Sequence, residues 1–209
     1  MTTDGIIFDM DGTLWDSAES VAQSWTDTVS RYPEAKRVFT AEDIHGVMGM
    51  TMRNISCFFF GDLPEEKRRK ITRDCFEEEC RYVALHGGVL YPKLEETLAR
   101  LKEIAPLYIV SNCQDGYIEA FFAYHGLNGY FSDYEDHGRT GLEKDGSLRL
   151  LIERNGLKSP VYVGDTAGDY DACVKAGVPF IHAAYGFGLV PDVPFIRSFE
   201  ELPGLLQTI

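Results

Sequence analysis

The chain has 209 residues, 44% of them hydrophobic and 25% charged, and a formal net charge of -13. That balance suits one large globular domain or a core with a modest insert, and no apolar run approaches membrane-spanning length. With 20 Lys+Arg against 33 Asp+Glu, no basic face can be assembled for nucleic acid, and an anionic substrate would need a local cation or a metal to hold it.

The first element is a short apolar strand, Gly5-Met10, which runs into Asp9 and Asp11. From Ser17 to about Leu85 there is no convincing strand. The charged run Pro64-Lys70 opens a helix that continues to about Val83, so this stretch reads as a helical insert, residues 16–85, within a core of residues 1–15 and 86–209. Trp15-Ser17 and His86-Gly88 are its linkers, with Gly87-Gly88 as a hinge. The pattern then alternates. A helix is expected over Pro92-Ile104, with proline in the first turn and apolar residues at Leu94, Leu98, Leu101 and Ile104. A strand follows at Leu107-Asn112, a helix at Gly116-His125, a strand at Tyr130-Tyr134 and a helix at Leu148-Arg154. A strand at Val161-Asp165, a helix at Tyr170-Ala176 that stops at Gly177, and a strand at Pro179-Ala184 complete the series. Nearly continuous apolar strands alternating with helices imply a doubly wound α/β fold with a parallel sheet buried on both faces. The five cysteines are odd in number and contain no C-x-x-C, which reads as reduced. The N-terminal MTTDG lacks a basic stretch followed by an apolar run, so a cytoplasmic location is expected.

Parallel sheets bind ligands beyond the carboxyl ends of their strands. Asp9 belongs at such an end, with Asp11 two residues on and facing the same side. A bare D-x-D-G is most simply a strand followed by a turn, and a calcium loop fails because its glycine belongs at the sixth position rather than the fourth. A second strand, Val161-Gly164, ends in Asp165, with Asp169 four residues later. Two strands ending in carboxylates make an oxygen-rich cavity suited to Mg²⁺ with a substrate phosphate. The Leu107-Asn112 strand ends in Ser111 and Asn112, which can hydrogen-bond a phosphate oxygen, and Lys144 can neutralise one. Each of these residues alone reads as a turn or surface residue; the constellation points to a shared site. Met48-Met52 and Phe58-Phe60 could line a substrate cleft or simply pack the helical insert.

DMDGT (Asp9-Thr13), IVSN (Ile109-Asn112), Lys144 and GDTAGD (Gly164-Asp169) resemble, in order, the four motifs of the haloacid dehalogenase-like hydrolase superfamily. The insert resembles its C1-type cap, and the resemblance covers essentially the whole chain. It implies a Rossmann-like core and a Mg²⁺-dependent phosphatase. Asp9 would be the nucleophile and Asp11 the general acid and base. Mg²⁺ would be held by Asp9, the Asp11 carbonyl and Asp165, with Asp169 behind them. Ser111 and Lys144 would hold the phosphoryl group, with Gly12, Thr13 and Asn112 as further phosphate contacts. Asp11 sets the chain apart from the dehalogenases, and no lysine lies between Trp15 and Tyr32 for phosphonatase chemistry. A phosphoglycolate-phosphatase-like enzyme is the best fit. The rival is a sugar phosphomutase of the β-phosphoglucomutase type, although His45-Thr51 has no basic residue to grip a distal phosphate and only Arg53 is near. A non-enzymatic receiver domain with a phosphorylated Asp is the remaining class; it lacks Asp11 and the insert. The expected partner is a small phosphorylated metabolite, and the protein is expected to be a monomer or weak homodimer.

Overall fold

The computed structural model describes residues 3–208. In chain order the strands are β1 (Gly5–Phe8), β2 (Trp15–Asp16), β3 (Val89–Leu90), β4 (Leu107–Ser111), β5 (Phe131–Asp136), β6 (Pro160–Gly164), β7 (Phe180–Ala183) and β8 (Phe195–Ile196). The α-helices are α1 (Ala18–Val29), α2 (Ala41–His45), α3 (Met52–Phe60), α4 (Glu65–His86), α5 (Leu94–Lys102), α6 (Tyr117–His125), α7 (His137–Thr140), α8 (Lys144–Asn155), α9 (Ala167–Ala176) and α10 (Leu202–Leu206). Six strands form a parallel sheet in the order β5-β4-β1-β6-β7-β8. The expected α/β class is therefore observed.

Side-chain alternation divides β1 between two apolar layers. Ile6 and Phe8 join Leu94, Leu98, Phe121 and Leu202 on one face. Ile7 joins Leu148, Leu151, Tyr162 and Cys173 on the other. Burial on both faces explains why the strands read as continuous apolar runs. The sheet order also decides where chemistry can gather. β1 lies between β4 and β6, with Phe8 in register with Ile109 on one side and Val163 on the other. The residues that follow or end these three strands, Asp9, Ser111 and Asp165, therefore converge at one edge.

Helices α1–α4 lie between β2 and β3. Trp25 is the hub of their core, with Phe39, Phe59, Phe60 and Phe76 ringed around it at centroid distances of 5.4–6.2 Å. The two chain crossings at the ends of this helical segment meet as an antiparallel pair, Trp15 with Leu90 and Asp16 with Val89. A side chain at Gly88 would come within 2.7 Å of the Asp16 carbonyl oxygen, so glycine lets the two crossings touch. This ribbon and β8 were not foreseen from sequence; each strand is two residues long, below the span in which alternation can be recognised.

Candidate active site

Asp9 follows β1 and is almost fully buried. Lys144, the first residue of α8 and only 5% exposed, places its Nζ 2.9 Å from Asp9 Oδ1 and 2.5 Å from Asp169 Oδ1. A lysine is disfavoured at a helix N-terminus by the macrodipole, so the two carboxylates, rather than the helix, account for its placement. The other oxygen of Asp169 accepts from the Thr166 N–H and hydroxyl, at 3.0 and 2.7 Å. Thr166 is the N-cap of α9 and forms a reciprocal capping box with Asp169. One residue thus caps a helix and orients the lysine.

Asp165 follows β6. Its Oδ2 accepts from the Phe187 N–H at 2.8 Å, while Oδ1 is buried without a partner among the described residues. Oxygens of Asp9, Asp165 and Asp169 lie within 4.8 Å of one another. The Asp11 carbonyl accepts no backbone hydrogen bond among the described residues. Since both oxygens of Asp169 are engaged, the free donors are on Asp9, Asp165 and the Asp11 carbonyl, an all-oxygen set that suits a hard divalent cation such as Mg²⁺.

Electrostatics agree with a missing positive charge. Burial, then the charge of Asp169, pushes the Asp9 carboxyl up to about 7 against the pull of Lys144. Burial, with Asp9 and Asp169 nearby, raises Asp165 to about 8. Burial would also raise Asp169, but the charge and hydrogen bond of Lys144 outweigh it and hold this carboxyl below its usual range. Burial would lower Lys144, but Asp169 and Asp9 reverse the sign and raise it. One lysine cannot neutralise three buried carboxylates.

The Asp11 side chain turns the other way. Its Oδ1 accepts from the Ser17 hydroxyl at 2.6 Å and lies 3.1 Å from the Tyr117 hydroxyl, which itself donates to Ser17 at 2.7 Å. Burial raises Asp11 to about 6 in spite of these bonds. That position near neutrality suits a group that gives and takes a proton. Neither Ser17 nor Tyr117 was singled out from sequence.

Asp9, Asp11, Ser111 and Asn112 line one wall of a cleft whose other wall comes from the helical segment. Met48, Gly49, Met50 and Met52 line it, the first of the two readings left open for this stretch. Of the Phe58-Phe60 run, none does: Phe60 and Phe59 pack on Trp25 and Phe58 is 65% exposed. Two expected phosphate contacts are placed differently. Thr13 is fully buried, with its N–H bonded to the Met10 carbonyl and its hydroxyl unpartnered. The Gly12 N–H donates to the Trp15 carbonyl at 2.9 Å. The tight turn after Asp11 consumes both donors. The backbone amides of Met10, Asp11, Asn112 and Cys113 have no backbone acceptor among the described residues. The Asn112 side chain is also committed, donating to the Gly49 carbonyl of the helical segment at 2.8 Å. Arg53 lines a neighbouring cleft, with Arg68, Arg69 and Arg73, which shares Met52, Phe76 and Gln114 with this one. Among the described residues, no lysine or arginine lines the cleft at Asp9.

Gly12 has φ +83°, and a Cβ there would lie 2.1 Å from Asp165 Oδ2. Gly12→Ala is expected to cost at least about 2 kcal/mol, from left-handed backbone strain and overpacking combined. Urea denaturation checks this; an unchanged midpoint would mean that Asp165 moves aside freely.

The model of the haloacid dehalogenase-like hydrolase family matches residues 6–183. A phosphoglycolate phosphatase of Pectobacterium atrosepticum is 27% identical over 214 residues, covering 95% of this chain and 91% of its own. The phosphoglycolate phosphatase of Escherichia coli strain K12 is 25% identical over 233 residues, covering 96% and 92%. Among solved structures, one described as a predicted phosphatase from Clostridium acetobutylicum superposes with TM-score 0.82 at 21% identity over the full length of both chains; at that identity the likeness speaks for the fold.

Proposed function

The chain belongs to the haloacid dehalogenase-like hydrolase family, and we propose that it is a Mg²⁺-dependent phosphomonoesterase of the phosphoglycolate-phosphatase-like group, working through an aspartyl-phosphate at Asp9. The observation that carries this reading is the meeting of Asp9 and Asp165, at the ends of adjacent strands, with Asp169 and its partner Lys144, which leaves an Asp165 oxygen unpartnered among the described residues.

In the proposed reaction an Asp9 oxygen attacks phosphorus and the bond from phosphorus to the ester oxygen breaks. Asp11, protonated, gives its proton to the leaving alcohol oxygen. As a carboxylate it then takes a proton from water, which attacks the phosphorus of the aspartyl-phosphate. The Asp9–phosphorus bond breaks and phosphate leaves. Ser17 and Tyr117 hold Asp11 in place for both transfers. Ser111 and Lys144 hold the phosphoryl oxygens, and the free amides of Asp11 and Asn112 are donors for the charge that develops. Mg²⁺, bound by Asp9, Asp165 and the Asp11 carbonyl, would neutralise phosphate charge and keep the nucleophile ionised.

Residues 16–85 serve in this reading as a cap over a core of 1–15 and 86–209. The Asn112–Gly49 bond and the tilted contact of the His45 ring with Phe187, 4.6 Å between centroids, support a closed position that excludes water. The substrate is a small phosphorylated metabolite. The absence of a cation from the cleft speaks against the mutase, which would need to grip a second phosphate.

Borohydride reduction during turnover tests the intermediate. Conversion of Asp9 to homoserine, located by peptide mass, is the expected result; reduction elsewhere or nowhere would contradict it. Mg²⁺ should also raise the melting temperature, and more at pH 8 than at pH 5. The folded-state values of Asp9 and Asp165 lie above the unfolded one. Metal-free stability therefore falls as pH rises from about 4 to about 8, because the unfolded chain releases these protons first. Mg²⁺ replaces the protons and restores what is lost. Thermal denaturation at the two pH values, with and without Mg²⁺, reads the difference; an equal shift at both would count against the shared site.

A further inference from the structure

The part of the cleft beyond Asp9 and Asp11 is apolar, walled by Trp25, Met48, Met52, Ile55 and Phe76, with one charged exception. Glu79 reaches into it from α4 and is 5% exposed. Its Oε2 accepts from the Trp25 indole N–H at 2.5 Å and its Oε1 from the Gln114 amide at 2.9 Å. A carboxylate offers about four acceptor positions, so each oxygen keeps one. No salt bridge reaches Glu79 among the described residues, and no lysine or arginine lines the cleft. A buried carboxylate without a cation is costly, and packing alone would be served better by an apolar residue. The indole and the amide fix both oxygens in place, as a recognition group requires.

We propose, resting on the phosphatase reading above, that Glu79 reads the leaving alcohol: the preferred ester carries a hydroxyl or ammonium hydrogen-bond donor there and no second anionic group. A ligand donor fills the open acceptor positions. Burial pushes the Glu79 carboxyl up to about 7 against the Gln114 and Trp25 hydrogen bonds, so above that pH a ligand carboxylate, as in phosphoglycolate, meets a charged Glu79 with Asp11 nearby and no lysine or arginine in the cleft lining to receive it. The apolar wall suits a short carbon body between the phosphate and that donor. This substrate class departs from the one named for the sequence relatives, and it comes from the half of the cleft that the phosphoryl chemistry does not use.

The test is kcat/KM with Mg²⁺ at pH 8, where Glu79 is ionised, for 2-hydroxyethyl phosphate, 2-aminoethyl phosphate, ethyl phosphate and phosphoglycolate, with phenyl phosphate as a general substrate, for the wild type and Glu79→Gln. The wild type is expected to prefer the two donor-bearing esters over phosphoglycolate by about tenfold or more. Glu79→Gln narrows that gap, chiefly through KM, because the amide can donate to the carboxylate and no longer repels it. The wild-type ratio decides the matter even if the variant does not fold. Preference for phosphoglycolate by the wild type, with phenyl phosphate turned over, overturns the proposal and leaves the phosphatase reading standing. So does an unchanged ratio in folded Glu79→Gln. No phosphate from any ester, phenyl phosphate included, contradicts the phosphatase reading itself, and the proposal falls with it.

Discussion

Asp9→Asn is expected to lower phosphate release by at least about 10⁴-fold while leaving the protein folded. The substitution keeps the size of the side chain and an oxygen that can accept from Lys144, so the 2.9 Å contact has a replacement. It removes the nucleophilic carboxylate and one of the negative charges crowded around Asp165 and Asp169. The metal-free variant should therefore melt no lower than the wild type at pH 8, where Asp9 carries its charge. Activity and melting temperature, measured on the same preparation, separate chemistry from folding. Turnover within tenfold of the wild type would refute Asp9 as nucleophile. Loss of activity together with loss of fold would instead make Asp9 a structural residue.

Lys144→Met is expected to damage both stability and catalysis. The lysine bridges two buried carboxylates, and breaking a buried ion pair by removing one partner costs about 3–5 kcal/mol. The cost has a definite pH dependence. Lys144 has its folded-state value raised, so its stabilising contribution is fully present across the neutral range. Asp169 has its value held down by that lysine, and its contribution is present above the ordinary carboxylate range and lost only in acid. In Lys144→Met both carboxylates are free to rise. The stability gap to the wild type should accordingly be larger at pH 8 than at pH 5 in the absence of Mg²⁺. Denaturant titrations at the two pH values check this. A uniform gap would mean that packing of the lysine stem, rather than charge, sets the loss.

Much of this site was readable from residues because its parts lie where short-range patterns end. Asp9, Ser111 and Asp165 each close an apolar run, and a parallel sheet brings neighbouring strand ends together whatever the intervening sequence. Lys144 was readable only through the motif it resembles. Gly146 and the polar residues around it obscure the start of α8, which begins at Lys144 rather than near Leu148. The partners of Asp11 could not be read at all. Tyr117 reaches Ser17 across 100 residues and Trp25 reaches Glu79 across 54, and no local periodicity marks side chains that meet only through the tertiary fold. Gly12 and Thr13 show the converse limit. Their types suit a phosphate loop, yet their backbone donors are used within the turn that they form. Glu79 lies in a charged helical run that reads as a solvated face; the surrounding Trp25, Phe76 and Gln114, from three different elements or loops, bury it.

The most direct test of the account is phosphate release from small phosphomonoesters by the wild-type protein, with and without Mg²⁺, alongside Asp9→Asn. Release is expected to require Mg²⁺ and to disappear in the variant. Release that persists in EDTA, or that survives the loss of the Asp9 carboxylate, would contradict the joint assignment of metal and nucleophile to this cluster of strand-end carboxylates.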